Sequence, residues 1–226
     1  MKILALTVLV VLASCRSPVV PVAPGAESYV PAGSVAVGGV DVAGLRGSAL
    51  YAKIAPLVQS YGDVRSLLLA YRGNEVLVMA DGKPAGPADL VQVAEAQHAT
   101  GKSGAPELLE HAPRDRQIWA VVRGGVSLPL TGNYANVNRL LRDMEYAAVG
   151  VRVASQVEIA VTARGRTAEA ARHFEATFRA TLTLIAAGES KNAELAGVLR
   201  SIQVKREDRD VSARVSMPAE DVGKWF

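Results

Sequence analysis

The sequence predicts an α+β body in which one order of elements runs twice. Paired runs such as Val149, Val151, Val153 and Val157, Ile159, Val161 alternate with period two, the signature of half-buried strands. Apolar stripes at helical spacing separate the strand pairs, the longest running through Ala171, Phe174, Phe178, Leu182 and Ile185. The order strand-helix-strand-strand-helix-helix recurs at an offset of about 80 to 90 residues, with little identity between the copies.

The first copy opens at Ser34 to Val42, where the alternation Val35, Val37, Val40, Val42 skips a step across Gly38-Gly39 and so predicts a bulged strand. Ala43 to Ser60 has helical spacing, weakened by Gly47 and Pro56. Ser66 to Tyr71 and Glu75 to Ala80 flank Arg72-Gly73-Asn74 and predict a hairpin. Pro87 suits the first turn of a helix reaching Ala99, and Gly101 suits its end; Pro106 to Ala112 is a shorter helix. Gln117 to Arg123 is a strand, and Arg123 to Leu128 echoes Val37 to Val42.

In the second copy, Asn133 to Glu145 reads as helix and Tyr146 to Arg164 as a hairpin. Thr167 caps a long helix to Ala187, and Gly188 stops it. Ala193 to Ser201 is a short helix, Ile202 to Met217 a closing hairpin around Asp208-Arg209-Asp210, and Pro218 starts a last turn ending in Trp225-Phe226. A unit of this order is close to the ferredoxin-like plan, an antiparallel sheet with helices on one face. The expected divisions are 1–14, 15–33, 34–116 and 117–226, the last two being tandem repeats.

The N-terminus carries the one definite chemical assignment. Lys2 precedes a short apolar run, Ile3 to Leu12, about ten residues where a span of the ~30 Å hydrocarbon core needs ~20. This is an export signal rather than a membrane span. Leu12-Ala13-Ser14-Cys15 resembles the bacterial lipobox, and Cys15 is the chain's only cysteine. The resemblance implies cleavage between Ser14 and Cys15, a diacylglycerol on the Cys15 thiol and acylation of the new amino group, palmitate being a typical acyl chain. Two or more chains, at ~0.8 kcal/mol per buried CH₂, hold a protein stably at a bilayer. Arg16 stands where an inner-membrane retention signal in some bacteria has Asp, so the expected location is the cell envelope, at the periplasmic face of the outer membrane. Pro18, Pro21, Pro24 and Pro31 mark residues 16–33 as a tether, extended in part as polyproline II.

Composition narrows the body. Half the residues are hydrophobic and 21% charged, an ordinary globular balance. Net charge is +3 with the basic residues scattered, which gives no nucleic-acid stripe. With Cys15 lipidated, no thiol remains for disulfide, redox or metal chemistry. Aromatics make up 5%, too few for a platform that stacks sugars.

Catalytic motifs do not assemble. Ala96 to Ser103 fits a permissive phosphate-loop pattern, but it lacks the first glycine and follows a helix rather than a strand. Ser103, His111 and Asp115 sketch a relay with no strand to present the serine. The three histidines are not at ligand spacing, and no metal or cofactor is expected. Glu207, Asp208 and Asp210 read as a solvated turn. Arg164, Arg166, Arg172 and Arg179 are interleaved with Glu169 and Glu175, so pairing is expected over a basic face.

The sequence therefore points to a lipid-anchored, non-enzymatic binding or scaffold protein, its partners the membrane and another envelope protein. The competing expectation is a carrier or sensor of an apolar ligand, held in a cavity between the sheet and Phe174, Phe178 and Leu182 of the long helix. A hydrolase built on Ser103 is a third.

Overall fold

A computed structural model describes residues 22–23, 25–128, 136–188 and 193–221 of the chain. Ser14, Cys15, Trp225 and Phe226 lie outside these residues. Nine strands form one sheet, β1 (Ala36–Asp41), β2 (Ser66–Arg72), β3 (Glu75–Ala80), β4 (Lys83–Ala85), β5 (Ile118–Arg123), β6 (Met144–Val153), β7 (Gln156–Gly165), β8 (Gln203–Glu207) and β9 (Asp210–Pro218). Their order across the sheet is β4-β3-β2-β1-β5-β6-β7-β9-β8, and every neighbouring pair is antiparallel. The helices are α1 (Val42–Leu45), α2 (Ala49–Gln59), α3 (Ala88–His98), α4 (Pro106–Leu109), α5 (Asn136–Leu141), α6 (Ala168–Gly188) and α7 (Ala193–Ser201). Among the described residues, no helix is long and apolar enough to cross a membrane.

The elements come in the expected order apart from the added short strand β4, but the strands are not arranged on the ferredoxin-like plan. That plan sets the first and third strands of a unit side by side in parallel, whereas here β1-β2-β3 and β5-β6-β7 are each simple meanders. The two meanders join through β1 and β5, with Val37 opposite Val121, and so form one continuous sheet.

Helices also cover both faces rather than one. Leu67-Leu68-Leu69-Ala70 in β2 is apolar on both sides and needs cover on both. On the front, Val37, Leu68, Leu77, Met79, Trp119 and Val121 pack beneath α3 and α4. On the back, α1 and α2 supply Leu45, Tyr51, Ile54 and Val58, while α6 adds Ala171, Phe174 and Phe178 over Ala163, Val204, Val211 and Ala213.

Four local expectations change. β1 has no bulge, since its register with β2 and β5 is unbroken. Gly39 is there because the Trp119 indole lies on it: a Cβ would sit 2.4 Å from the ring. The helix predicted over 43–60 is split, with Ser48 capping α2 through its Oγ, which accepts from Tyr51 N–H at 3.2 Å. The helix predicted to Glu145 ends at Leu141, because Met144 is fully buried as the first residue of β6. Gly124-Gly125, the echo of Gly38-Gly39, is a turn, with Gly125 at φ 75°.

The folded body also begins inside the predicted tether. Ala26–Tyr29 form a 3-10 turn, and Ala26 and Val30 are core residues of the front cluster. Ser28 Oγ donates to Gly25 O at 2.5 Å and lies 2.5 Å from His98 Nδ1, while the Tyr29 and His98 rings stack at 3.9 Å.

Candidate ligand-binding face

The front cover stops at β6. Among the described residues, no hydrophobic cluster includes a front-facing side chain of β7, β9 or β8. The reason is in the strand sequences. β9 reads Asp-Val-Ser-Ala-Arg-Val-Ser-Met, with Val211, Ala213, Val215 and Met217 inward to the back core and a polar residue at each alternate position. Register then aligns the polar positions across four strands. One row is Tyr146, Arg164, Asp210, Glu207; the next is Ala148, Thr162, Ser212, Lys205; the next is Gly150, Ala160, Arg214, Gln203; the last is Arg152, Glu158, Ser216.

Two hollows lie on this face. One, about 460 Å³, is lined by Tyr146, Thr162, Gln203, Lys205, Ser212 and Arg214 among others. The second, about 430 Å³, is lined by Arg116, Glu158, Ala160, Gln203, Arg214 and Ser216 among others. Both volumes lie in the range of small-molecule sites. Arg214 and Gln203 belong to both, so the hollows form one trough with Arg214 between them.

The charges on this face are committed unevenly. Arg116 pairs with Glu158 at 3.1 Å, Arg152 with Asp115 at 2.8 Å, and Arg164 with Glu145 and Asp210 at 3.3 Å. Arg214 and Lys205 make no ion pair among the described residues. Burial, with the Asp210 charge adding to it, pushes the Tyr146 phenol up and keeps it neutral. Its ring is held by the His111 imidazole, stacked at 3.6 Å.

The residues singled out in the sequence fall elsewhere. Phe174 and Phe178 stack at 5.8 Å within the back core. Leu182 lines a separate groove of about 460 Å³ between α6, α7 and β8, with Ala186, Leu199, Ile202 and Val204, and neither phenylalanine lines it. Ser103, His111 and Asp115 each have a different partner: Ser103 Oγ accepts from Ala105 N–H at 3.1 Å, His111 lies on Tyr146, and Asp115 pairs with Arg116 and Arg152. The Gly101 to Gly104 segment is a packing turn. Gln97 Nε2 donates to Lys102 O at 2.8 Å, and Gly104 has no side chain because a Cβ would meet Ala32 N at 2.2 Å. Among the described residues no group of three His, Cys, Asp or Glu side chains is placed to hold a metal. Arg164 and Arg179 are paired, Arg179 with Glu175 one turn away at 3.0 Å.

Lys205, Arg214, Thr162 and Ser212 escaped the sequence reading, although a signal was present. The alternates of β9 are polar without interruption from Asp210 to Ser216, and those of β7 from Glu158 to Arg164 are polar except for Ala160, which marks a sheet face left without cover.

The fold and face define a mixed helix-and-sheet protein with a nine-stranded antiparallel sheet, packed on both sides over one half and on one side over the other. The solved crystal form III of TP0453 is similar, with a TM-score of 0.49 and 8% identity over 92% of this chain and 98% of that one. No protein-family model and no curated protein sequence matches the chain.

Proposed function

We propose that the chain is a lipid-anchored, non-enzymatic binding protein of a bacterial envelope, which engages its partner through the open front of β6, β7, β9 and β8. One observation supports this above the others: β7, β9 and β8 present aligned, mostly polar side chains and two contiguous hollows beside Tyr146 and Arg152 of β6, while the same face over β1, β2, β3 and β5 is sealed by helices. The lipobox-like Leu12-Ala13-Ser14-Cys15 supports the anchor. Photo-crosslinking residues placed at Thr162 and Ser216 in intact cells should trap a partner, whereas one at exposed Ala176 on α6 should not. Equal yields from all three positions, or none from any, would count against the open face. Replacing Cys15 with Ser should move the protein from the membrane fraction to the soluble one; unchanged retention would remove the anchor from the reading.

A second reading, carriage of an apolar ligand, is favoured by the groove of about 460 Å³ beside Leu182, which is lined by helix and sheet edge together. Displacement of a fluorescent fatty acid, lost in Leu182→Arg, is its test; absence of any uptake by the native protein would dismiss it.

A further inference from the structure

We infer that the trough on the open sheet face binds an acidic polysaccharide, a carboxylate of which is held by Arg214 and Lys205. The inference rests on the reading of this face as the binding surface and adds the chemistry of what it binds.

Arg214 is the only cation that lines both hollows and has no carboxylate of its own among the described residues. Lys205 stands one strand over and one row along, since Arg214 opposes Gln203 and Lys205 opposes Ser212. Diagonal neighbours of this kind are ~7–8 Å apart, somewhat less at Cβ, within the joint reach of two long side chains. An oxyanion between them gains charge-assisted hydrogen bonds, which Arg forms in bidentate geometry. Asp210 is paired with Arg164 and Glu158 with Arg116, while Glu207, one row from Lys205, lies two rows from Arg214, so Arg214 carries the larger share of the charge offered to a ligand.

The rest of the trough selects against a protein partner and for a hydroxylated one. Ala160 on its floor is small enough for close approach, and around it stand Thr162, Ser212 and Gln203, which donate and accept. Protein interfaces take their energy from buried aromatic and aliphatic anchors. The exposed large apolar side chains among the described residues are Val76, Val93, Leu184 and Ile185, none of them on this face, and its aromatic, Tyr146, is half-buried and already stacked on His111. A sugar ring needs no such anchor here, because its hydroxyls match the amide and hydroxyl groups while its carboxylate meets the two cations. Two hollows in line suit successive residues of a polymer.

The test uses the full chain in detergent, titrated with galacturonate oligomers, uncharged malto-oligosaccharides and inorganic polyphosphate. Galacturonate oligomers should bind and malto-oligosaccharides should not. Arg214→Ala should weaken galacturonate binding about tenfold, equivalent to 1.4 kcal/mol, and Lys205→Ala several-fold. The double variant Thr162→Val with Gln203→Ala should weaken galacturonate binding while leaving any polyphosphate binding unchanged, which separates sugar recognition from charge alone. All substituted positions are on the surface, so an unaltered thermal midpoint checks the fold. Failure of galacturonate oligomers to bind, equal binding to Arg214→Ala, or indifference to the hydroxyl and amide substitutions would overturn the inference. If Thr162 and Ser216 still crosslink a partner in cells, a negative titration sinks the polysaccharide and leaves the binding face standing. If crosslinking fails too, both fall.

Discussion

β5 stops pairing with β6 at Ile118, and the Gln117 carboxamide continues the ladder by one step: its Nε2 donates to Val153 O at 2.9 Å and its Oε1 accepts from Val153 N–H at 3.0 Å. Gln117 is buried, so no water stands ready to replace either bond. Gln117→Ala should therefore cost about 2 kcal/mol, each orphaned buried group being worth about 1–3, read as a lower urea midpoint with an unchanged slope. Glu175 on α6 is a second residue with a measurable signature. The hydrogen bond from Arg179 above all holds its carboxyl below the usual carboxylate range; burial opposes it, and the hydrogen bond from Arg206 and the charges of both arginines add to the lowering. A depressed folded-state pKa means stability that is present above the unfolded carboxylate value and is lost as pH falls through the folded one. The pairs are largely solvated, so the amount is under about 1 kcal/mol each. Urea midpoints of the native protein should fall more steeply with acid than those of Glu175→Gln; parallel curves would show that the carboxylate contributes nothing.

At the scale of elements, strands and helices were legible wherever one periodicity dominated. The hairpins at Ser66 to Ala80 and Tyr146 to Arg164, and the helix from Thr167, are found where their patterns put them, with Thr167 Oγ1 accepting from Ala170 N–H at 3.0 Å. Misreadings arose where a long-range contact decided the local state. Met144 fits a helical stripe, yet its burial in the sheet draws it into β6. Gly38-Gly39 reads as a bulge because the requirement for glycine comes from Trp119, about 80 residues away along the chain but opposite Gly39 in the register. This contact can be tested directly. Gly39→Ala must push the indole aside or bend β1, since the new Cβ would be 2.4 Å from ring atoms. Overpacking of this sort costs about 1–3 kcal/mol, and the near-UV circular dichroism of Trp119 should change with it. Gly47→Ala is the control, because its Cβ would meet nothing within 4 Å and its φ is not positive. It should be neutral or stabilising by up to about 1 kcal/mol.

For the whole molecule, the sheet's continuity and its half-bare front were the least legible features, because pairing order depends on which meander edges meet. Composition offers no sign that β1 and β5 join. The N-terminal boundary was obscured for a related reason. Proline and small residues read as a tether, yet the same residue types fit a close-packed turn. Val30 is fully buried, Pro31 is among the fully buried side chains, and Gly104 N–H donates to Val30 O at 2.8 Å. The segment thus closes the front layer over α3 and fixes where α4 begins. A chain starting at Ser34, the boundary the sequence suggests, would lose Ala26, Val30 and the Tyr29–His98 stack while leaving the cavity they filled. At about 1.5–3 kcal/mol for burying one side chain of valine size, the combined loss approaches the 5–15 kcal/mol total stability of a typical domain. Residues 22–226 should unfold cooperatively in urea, whereas residues 34–226 should be expressed poorly or unfold at a much lower midpoint. Equal midpoints for the two chains would return residues 22–33 to the tether and leave the front layer to α3 and α4 alone.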